Sequence, residues 1–195
     1  GDHVGLVAEV EGLVRDVRHE GYTEVLLLGM GGSSLAPDLL GRTFGTKEGY
    51  LDLSVLDSTD PAAVRARAEA LDPGRTLFIV STKSGTTTET LSFFKYFFNL
   101  TARSVSPDEA GKHFVAITDP GSPLEPLAMD LGFRETFLND PDIGGRYSAL
   151  SFFGLVPGAL HGVDTGLLVK RANAMSARCG PDRDPLAGEN TGALL

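Results

Sequence analysis

The sequence predicts an α/β fold, a three-layer sandwich with a five-stranded parallel sheet between two layers of helices and a helical extension at its C-terminal end. Three observations lead to this prediction. Five short apolar runs recur along the chain, the intervals between them carry helical patterns, and only helical patterns follow Tyr147. Continuous apolar runs that alternate with helices are typical of parallel strands buried on both faces.

The five predicted strands are short and apolar. The first, residues 24–28, reads Glu-Val-Leu-Leu-Leu and ends at a glycine, which is the pattern of a strand covered on both sides. Comparable runs occupy residues 53–56, 77–80, 114–117 and 135–138.

The predicted helices follow from apolar spacing and from residues that begin helices. Asp60 and Pro61 read as an N-cap followed by proline at the first helical position, and Ser122-Pro123 starts another helix in the same way. Apolar side chains recur at helical spacing in the remaining intervals. We therefore expect helices over residues 7–17, from 35, from 61, over 87–100, from 123, over 149–160 and 166–178, and from Pro185.

Composition and charge exclude several classes of function. The 195 residues include 17 basic and 26 acidic side chains, for a formal net charge of −9. This balance disfavours nucleic-acid binding, which relies on a basic surface, and the apolar runs are shorter than the roughly 20 residues of a membrane helix. Because the single cysteine, Cys179, can form no internal disulfide and no secretory leader opens the chain, we expect a cytoplasmic protein.

Two loops that follow predicted strands have the composition of an anion-binding site. The first loop, residues 29–34, reads Gly-Met-Gly-Gly-Ser-Ser and leads into a helix, whose N-terminal N–H groups and dipole favour an anion. The second loop, residues 81–88, reads Ser-Thr-Lys-Ser-Gly-Thr-Thr-Thr and combines hydroxyls with the charge of Lys83. With strand order 2-1-3-4-5, both loops face one crevice at the point where the order reverses. A phosphate group is the expected ligand.

Other interpretations of the two loops remain open. The first loop can be only a tight connection, and the hydroxyls of the second can be only a helix cap. Dinucleotide binding is the sharpest alternative, since Gly29 and Gly31 follow a strand and Asp57 ends the next one. It ranks below a sugar phosphate because Ser34 occupies the third glycine position and Lys83 is left without a role.

Three segments together resemble glucose-6-phosphate isomerases. They are residues 29–35 (Gly-Met-Gly-Gly-Ser-Ser-Leu), residues 82–90 (Thr-Lys-Ser-Gly-Thr-Thr-Thr-Glu-Thr) and residues 144–148 (Gly-Gly-Arg-Tyr-Ser), which we call the arginine segment. Their order and spacing match that family's first sugar-isomerase (SIS) domain, and the wording of the two loops is similar to the branch fused behind a transaldolase. The resemblance implies a flavodoxin-like strand order, with residues 1–160 forming the sugar-phosphate-binding domain and residues 161–195 a helical segment that leads to a second half.

The resemblance also implies a reaction, the interconversion of glucose 6-phosphate and fructose 6-phosphate through an enediolate. In that family a glutamate carries the proton and an arginine stabilises the developing negative charge. Neither a cofactor nor a metal is implied, and the full-length protein is expected to be a homodimer that binds hexose 6-phosphates and neither nucleic acid nor membrane. Carried over, the phosphate ligands are Gly32, Ser33, Thr82, Lys83, Ser84 and Thr87, and the catalytic arginine is Arg146.

This sequence departs from the family pattern in two ways. Thr82, Ser84 and Gly85 stand where serine, threonine and a bulky residue are commoner. The family's base glutamate, ring-opening histidine and a further lysine have no counterpart up to Leu195. We therefore expect this chain alone to bind 6-phosphosugars weakly and to turn over little, and a non-catalytic sugar-phosphate sensor is the alternative.

Three charged residues near these segments have structural interpretations. Glu89 is expected in the first turn of a helix, where a carboxylate complements the dipole. Asp119, at the end of the fourth strand, is expected to cap a helix or turn. Arg146, taken without the resemblance, is expected to pair with Asp140 or Asp142.

Overall fold

The computed structural model, which describes residues 3–180, 190 and 192, contains a five-stranded sheet between two layers of helices. The strand order is β2-β1-β3-β4-β5, and every neighbouring pair is parallel. The predicted fold class and strand order are confirmed. The strands are β1 (Glu24–Gly29), β2 (Asp52–Leu56), β3 (Thr76–Ser81), β4 (Phe114–Thr118) and β5 (Glu135–Leu138).

The helices predicted within the described residues are observed, with differences at their ends, and a short helix over residues 107–110 was not predicted. Asp60 accepts a hydrogen bond from the backbone N–H of Ala62 at 3.1 Å and so caps the third helix. A 3-10 helix (Gly145–Leu150) precedes the helix expected from residue 149, and the helix expected from Pro185 lies outside the described residues. The α-helices are α1 (His3–His19), α2 (Gly32–Phe44), α3 (Pro61–Ala70), α4 (Thr88–Ser104), α5 (Pro107–Ala110), α6 (Leu124–Asp130), α7 (Phe152–Leu160) and α8 (Thr165–Arg178).

The core consists of two apolar layers, one on each face of the sheet. Side chains such as Leu27 and Ile79 pack with α1 and α7, whereas Leu28 and Phe78 pack with α4 and α6. The central strands β1, β3 and β4 are almost completely buried, as their apolar runs predict. The outer strands β2 and β5 are only partly buried, because each has a neighbouring strand on one side alone. None of the helices described is long and apolar enough to span a bilayer.

Candidate functional site

Backbone contact between two glycines joins the first loop to the arginine segment. A Cβ atom placed on Gly32 would lie 2.7 Å from the carbonyl carbon of Gly145 and 2.8 Å from its Cα. A Cβ on Gly145 would in turn lie 3.2 Å from the Cα of Gly32. At position 32 only glycine allows this approach, whereas a side chain at position 145 would make a tight contact. The contact sets the 3-10 helix that begins at Gly145 against the N-terminus of α2, one residue from Arg146.

The first loop presents the N-terminus of α2 without a side-chain cap. Gly31, the N-cap residue, has a left-handed φ of 55° and offers no side-chain acceptor to the first turn. The Ser33 hydroxyl is half-buried and has no hydrogen-bond partner among the described residues. The Ser33 carbonyl accepts a hydrogen bond of 3.1 Å from the Ser81 hydroxyl at the end of β3. The two loops are therefore in direct contact, as the sequence predicts.

Hydroxyl pairs hold the second loop in shape. Thr82 is buried, and its Oγ1 lies 3.0 Å from Oγ1 of Thr87. Ser84 and Thr86 are exposed, their hydroxyl oxygens lie 2.9 Å apart, and the Thr86 N–H donates to the Ser84 oxygen at 3.2 Å. Because Thr87 bonds to Thr82, its side chain does not cap α4. The N-terminus of α4 thus keeps unpaired N–H groups beside exposed hydroxyls.

Gly85 explains one departure from the family pattern. It has a left-handed φ of 68°, which side chains other than glycine rarely adopt. A Cβ there would lie 2.9 Å from the backbone nitrogen of Leu124 and 2.9 Å from the Ser122 side chain. The second loop therefore packs closely against the start of α6. Ser122 and Leu124 occupy the space that a bulky side chain at position 85 would need.

Lys83 connects three loops at the carboxyl ends of the strands. Its ammonium group forms an ion pair with Oδ2 of Asp119, which follows β4, and donates to the carbonyl oxygen of Pro141, which follows β5, at 2.7 Å. About a third of the lysine side chain, 34%, is exposed. The expectation that Asp119 serves as a cap is wrong for its side chain, since the carboxylate is the counter-ion of Lys83.

Two buried acceptors accompany this ion pair, and sequence reasoning did not single out the one on Asn139. Oδ1 of Asp119 and Oδ1 of Asn139 are buried and have no hydrogen-bond partner in the described part of the chain. The two residues follow the paired positions Thr118 and Leu138 on neighbouring strands. The carbonyl of Pro141 has no signature in the sequence, whereas Asn139 lies directly after a predicted strand. Buried acceptors left unpaired are uncommon, and a ligand or an ordered water molecule can supply the missing donor.

Arg146 is exposed and forms no ion pair with any residue that the structure describes. The alternative expectation, pairing with Asp140 or Asp142, is not observed there. Asp140 instead accepts a hydrogen bond of 2.9 Å from the backbone N–H of Asp142. Glu89 lies in the first turn of α4, as expected. The guanidinium of Arg146 is therefore available beside the junction of the first loop and the arginine segment.

Among residues 3–180, 190 and 192, no group of three or more histidine, cysteine, aspartate or glutamate side chains is arranged to hold a metal ion. The two loops offer amide N–H groups, hydroxyls and the Lys83 ammonium group, and Arg146 follows the glycine that contacts the first loop. Such donors suit an anion. This chemistry agrees with an anionic ligand that binds through hydrogen bonds.

Comparison with known proteins identifies the family. Residues 12–172 match the sequence model of the family described as phosphoglucose isomerase. The chain belongs to this family. The glucose-6-phosphate isomerase of Carboxydothermus hydrogenoformans is 36% identical over 189 residues, covering 89% of this chain and 39% of that protein. The corresponding isomerase of Synechococcus sp. (strain JA-2-3B'a(2-13)) is 35% identical over 180 residues, covering 89% of this chain and 32% of that protein.

Solved structures agree with membership of the phosphoglucose isomerase family. A glucose-6-phosphate isomerase from Chlamydia trachomatis has a TM-score of 0.78 and 25% identity, covering 89% of this chain and 33% of that one. A hypothetical protein from Thermus thermophilus has a TM-score of 0.74 and 31% identity, covering 90% of this chain and 44% of that one. The resemblance inferred from three segments is confirmed, while the placement in the transaldolase-fused branch stays a prediction. The chain spans less than half the length of these relatives.

Proposed function

We propose that this chain carries the substrate-phosphate site and the catalytic arginine of a glucose-6-phosphate isomerase. The observation that carries the proposal is the contact between Gly32 and Gly145, because it brings Arg146 to the loops that offer anion donors. The reaction interconverts glucose 6-phosphate and fructose 6-phosphate. The substrate is thus a hexose with one dianionic end and one reacting end.

In this proposal the phosphate lies between the two loops. The first loop supplies the backbone of Gly32 and the hydroxyl of Ser33, which has no partner in the part of the chain that the structure describes. The second loop supplies the charge of Lys83 and the uncapped N-terminus of α4. Charge-assisted hydrogen bonds contribute roughly 1.5–3 kcal/mol each, so a few of them anchor a dianion. The proposed phosphate ligands are Gly32, Ser33, Thr82, Lys83, Ser84 and Thr87.

Arg146 would act at the other end of the sugar. An enediolate carries negative charge on oxygen, and a guanidinium fixed nearby stabilises that charge as it develops. The guanidinium of Arg146 suits this role because it is paired with no carboxylate among the described residues and so does not first have to leave one. The phosphate would hold the sugar so that its first two carbons reach the arginine, which lowers the entropic cost of the reaction.

The proton transfer needs catalytic residues for which this chain has no counterpart. The resemblance assigns it to a glutamate, with a histidine that opens the sugar ring, and neither has a counterpart here. We therefore propose that residues 1–160 form the phosphate-binding domain and that residues 161–195 lead to a second half in a cytoplasmic homodimer. The chain alone would bind hexose 6-phosphates and turn over little.

Calorimetric titration of this chain with glucose 6-phosphate, glucose and NAD tests the binding proposal. We expect heat from glucose 6-phosphate alone, because the phosphate supplies the charge that the loops recognise. Lys83→Ala should weaken this binding at least tenfold, whereas Lys95→Ala, which removes an exposed lysine from α4, should not. Equal affinity for glucose or tighter binding of NAD would contradict the proposal.

A coupled isomerase assay separates the catalytic part of the proposal. We expect Arg146→Ala in the full-length protein to lower turnover by about 100-fold or more while the affinity for glucose 6-phosphate changes little. Unchanged turnover in that variant would show that Arg146 is not the catalytic arginine, whereas no turnover in the full-length wild type would favour the non-catalytic sensor. High turnover by the 195-residue chain alone would contradict the expectation that a second half is required.

A further inference from the structure

We propose that Asp119 is a positioning residue for the substrate phosphate, acting by fixing the Lys83 ammonium group in its binding orientation. This inference rests on the proposed function, since it concerns how Lys83 reaches the phosphate. It adds to the site a carboxylate that neither the loop motifs nor the arginine segment contains. Asp119 itself does not touch the ligand.

The ammonium group of Lys83 is held from two sides. Asp119 Oδ2 forms the ion pair, and the Pro141 carbonyl accepts a second hydrogen bond at 2.7 Å. An ammonium group has three N–H donors, so two fixed acceptors determine where the third donor points. The third donor is the one available to a phosphate oxygen.

Contacts to the Lys83 main chain reinforce this arrangement. The Asp119 N–H donates to the Lys83 carbonyl at 3.1 Å, and the Thr118 hydroxyl oxygen, which also lies 2.7 Å from the Ser122 hydroxyl, is 3.3 Å from the same carbonyl. The main chain of the second loop and the lysine side chain are therefore both held by residues 118–119. This double attachment keeps the Lys83 Cα and its ammonium group in a fixed relation to β4.

The energetic benefit of such an arrangement is preorganisation. A free lysine side chain loses substantial rotamer entropy when it is ordered, and this loss weakens binding if it occurs together with ligand association. Because Asp119 orders Lys83 in advance, the phosphate does not bear that cost. The Asp119 side chain is only 17% exposed, so the ion pair is better shielded from solvent than an ordinary surface pair.

The carboxylate of Asp119 uses only one of its two oxygens for Lys83. Oδ2 forms the ion pair, whereas Oδ1 is buried without a hydrogen-bond partner among the described residues. Burial of an unpaired carboxylate oxygen is unfavourable, and the ion pair at Oδ2 offsets part of that cost.

Two uncharged replacements of Asp119 distinguish the loss of its hydrogen-bond acceptor from the loss of its negative charge. Asp119→Asn removes the negative charge but keeps an oxygen that accepts from Lys83, whereas Asp119→Leu removes both. Because the charge change is the same, we expect Asp119→Leu to bind glucose 6-phosphate about tenfold more weakly than Asp119→Asn in calorimetric titration. Asp119→Ala is the second acceptor-free variant and should behave like Asp119→Leu if the leucine disturbs folding.

A double-mutant cycle shows whether Asp119 acts through Lys83. In a Lys83→Met background the affinities of the asparagine and acceptor-free variants should become equal, since there is no ammonium group to position. Asp142→Asn, which removes a nearby exposed charge without contacting Lys83, should leave the affinity within about twofold of wild type.

The outcomes separate this inference from the proposed function. If wild type binds glucose 6-phosphate but the asparagine and acceptor-free variants have equal affinity, Asp119 is not a positioning residue. The same conclusion follows if their difference persists with methionine at position 83, because the effect then passes through the loop backbone. If wild type does not bind glucose 6-phosphate, the proposed function fails first and the inference fails with it.

Discussion

The backbone of Gly145 lies so close to Gly32 that a Cβ atom on Gly32 would be only 2.8 Å from the Cα of Gly145. This contact joins the start of α2 to the 3-10 helix that carries Arg146. The phosphate-binding loops and the arginine are thereby parts of one packed unit. The geometry of the proposed site therefore depends on glycine at positions 32 and 145 as well as on the residues that bind the ligand.

Gly32→Ala should disrupt the contact between the first loop and the arginine segment. The added methyl group meets backbone atoms that cannot rotate away, so we expect the free energy of unfolding to fall by about 1–3 kcal/mol and glucose 6-phosphate affinity to fall with it. Urea denaturation and calorimetry measure the two effects. Gly41→Ala is the control, because a methyl group there meets only an ordinary 3.6 Å contact and favours the helix. Equal stability of the two variants would contradict this account.

Gly85→Ala should strain the second loop and push it away from α6. Gly121→Ala is the matched control, since Gly121 also has a left-handed φ, of 74°, but an added Cβ meets nothing within 4 Å. Both variants carry the cost of the left-handed backbone, about 1–2 kcal/mol. We expect Gly85→Ala to lose roughly 1–3 kcal/mol more in thermal or urea unfolding because of the clash with Ser122 and Leu124. If the two losses are the same, the second loop is not closely packed.

Stability should decrease in mildly acidic solution because of His113. Burial holds the pKa of His113 below its ordinary value of 6.5, so the folded protein favours the neutral ring. The unfolded chain therefore binds the proton more tightly, and stability that is complete above pH 6.5 is lost as the pH falls below it. Urea denaturation at pH 7.5 and 5.5 measures the loss.

The free energy of unfolding of the variant His113→Gln should decrease less over the same pH range, because the substitution removes the group that titrates. His19→Gln changes an exposed histidine at the end of α1, and its free energy of unfolding should decrease as much as that of wild type. The same decrease in wild type and His113→Gln would show that burial of this ring does not determine the pH dependence.

Much of the fold could be predicted from local patterns. The apolar runs predict the ends of all five strands to within one residue. The signal is strongest for β1, β3 and β4, which are buried on both faces. The start of α2 was less predictable, since the helix begins at Gly32 within the glycine-rich loop rather than near Leu35. Its first turn is stabilised by contacts that the local sequence does not encode, including the approach of Gly145.

The interactions between loops could not be predicted from the sequence. The ion pair between Lys83 and Asp119 and the hydrogen bond to Pro141 join the ends of three different strands. Such contacts depend on the register between neighbouring strands and on where β3, β4 and β5 end relative to one another. The sequence indicated which side chains can bind an anion, but only the fold shows that Lys83 already has two acceptors.

Amide chemical shifts of the 15N-labelled chain during titration with glucose 6-phosphate test the central claim most directly. The account predicts that the largest changes occur together at Ser33, at residues 83–88 and at residues 145–146, with one common saturation curve. These segments follow separate strands, so a joint response means that one ligand contacts all of them. Changes confined to one loop, or equal changes with glucose, would contradict a phosphate site shared by both loops.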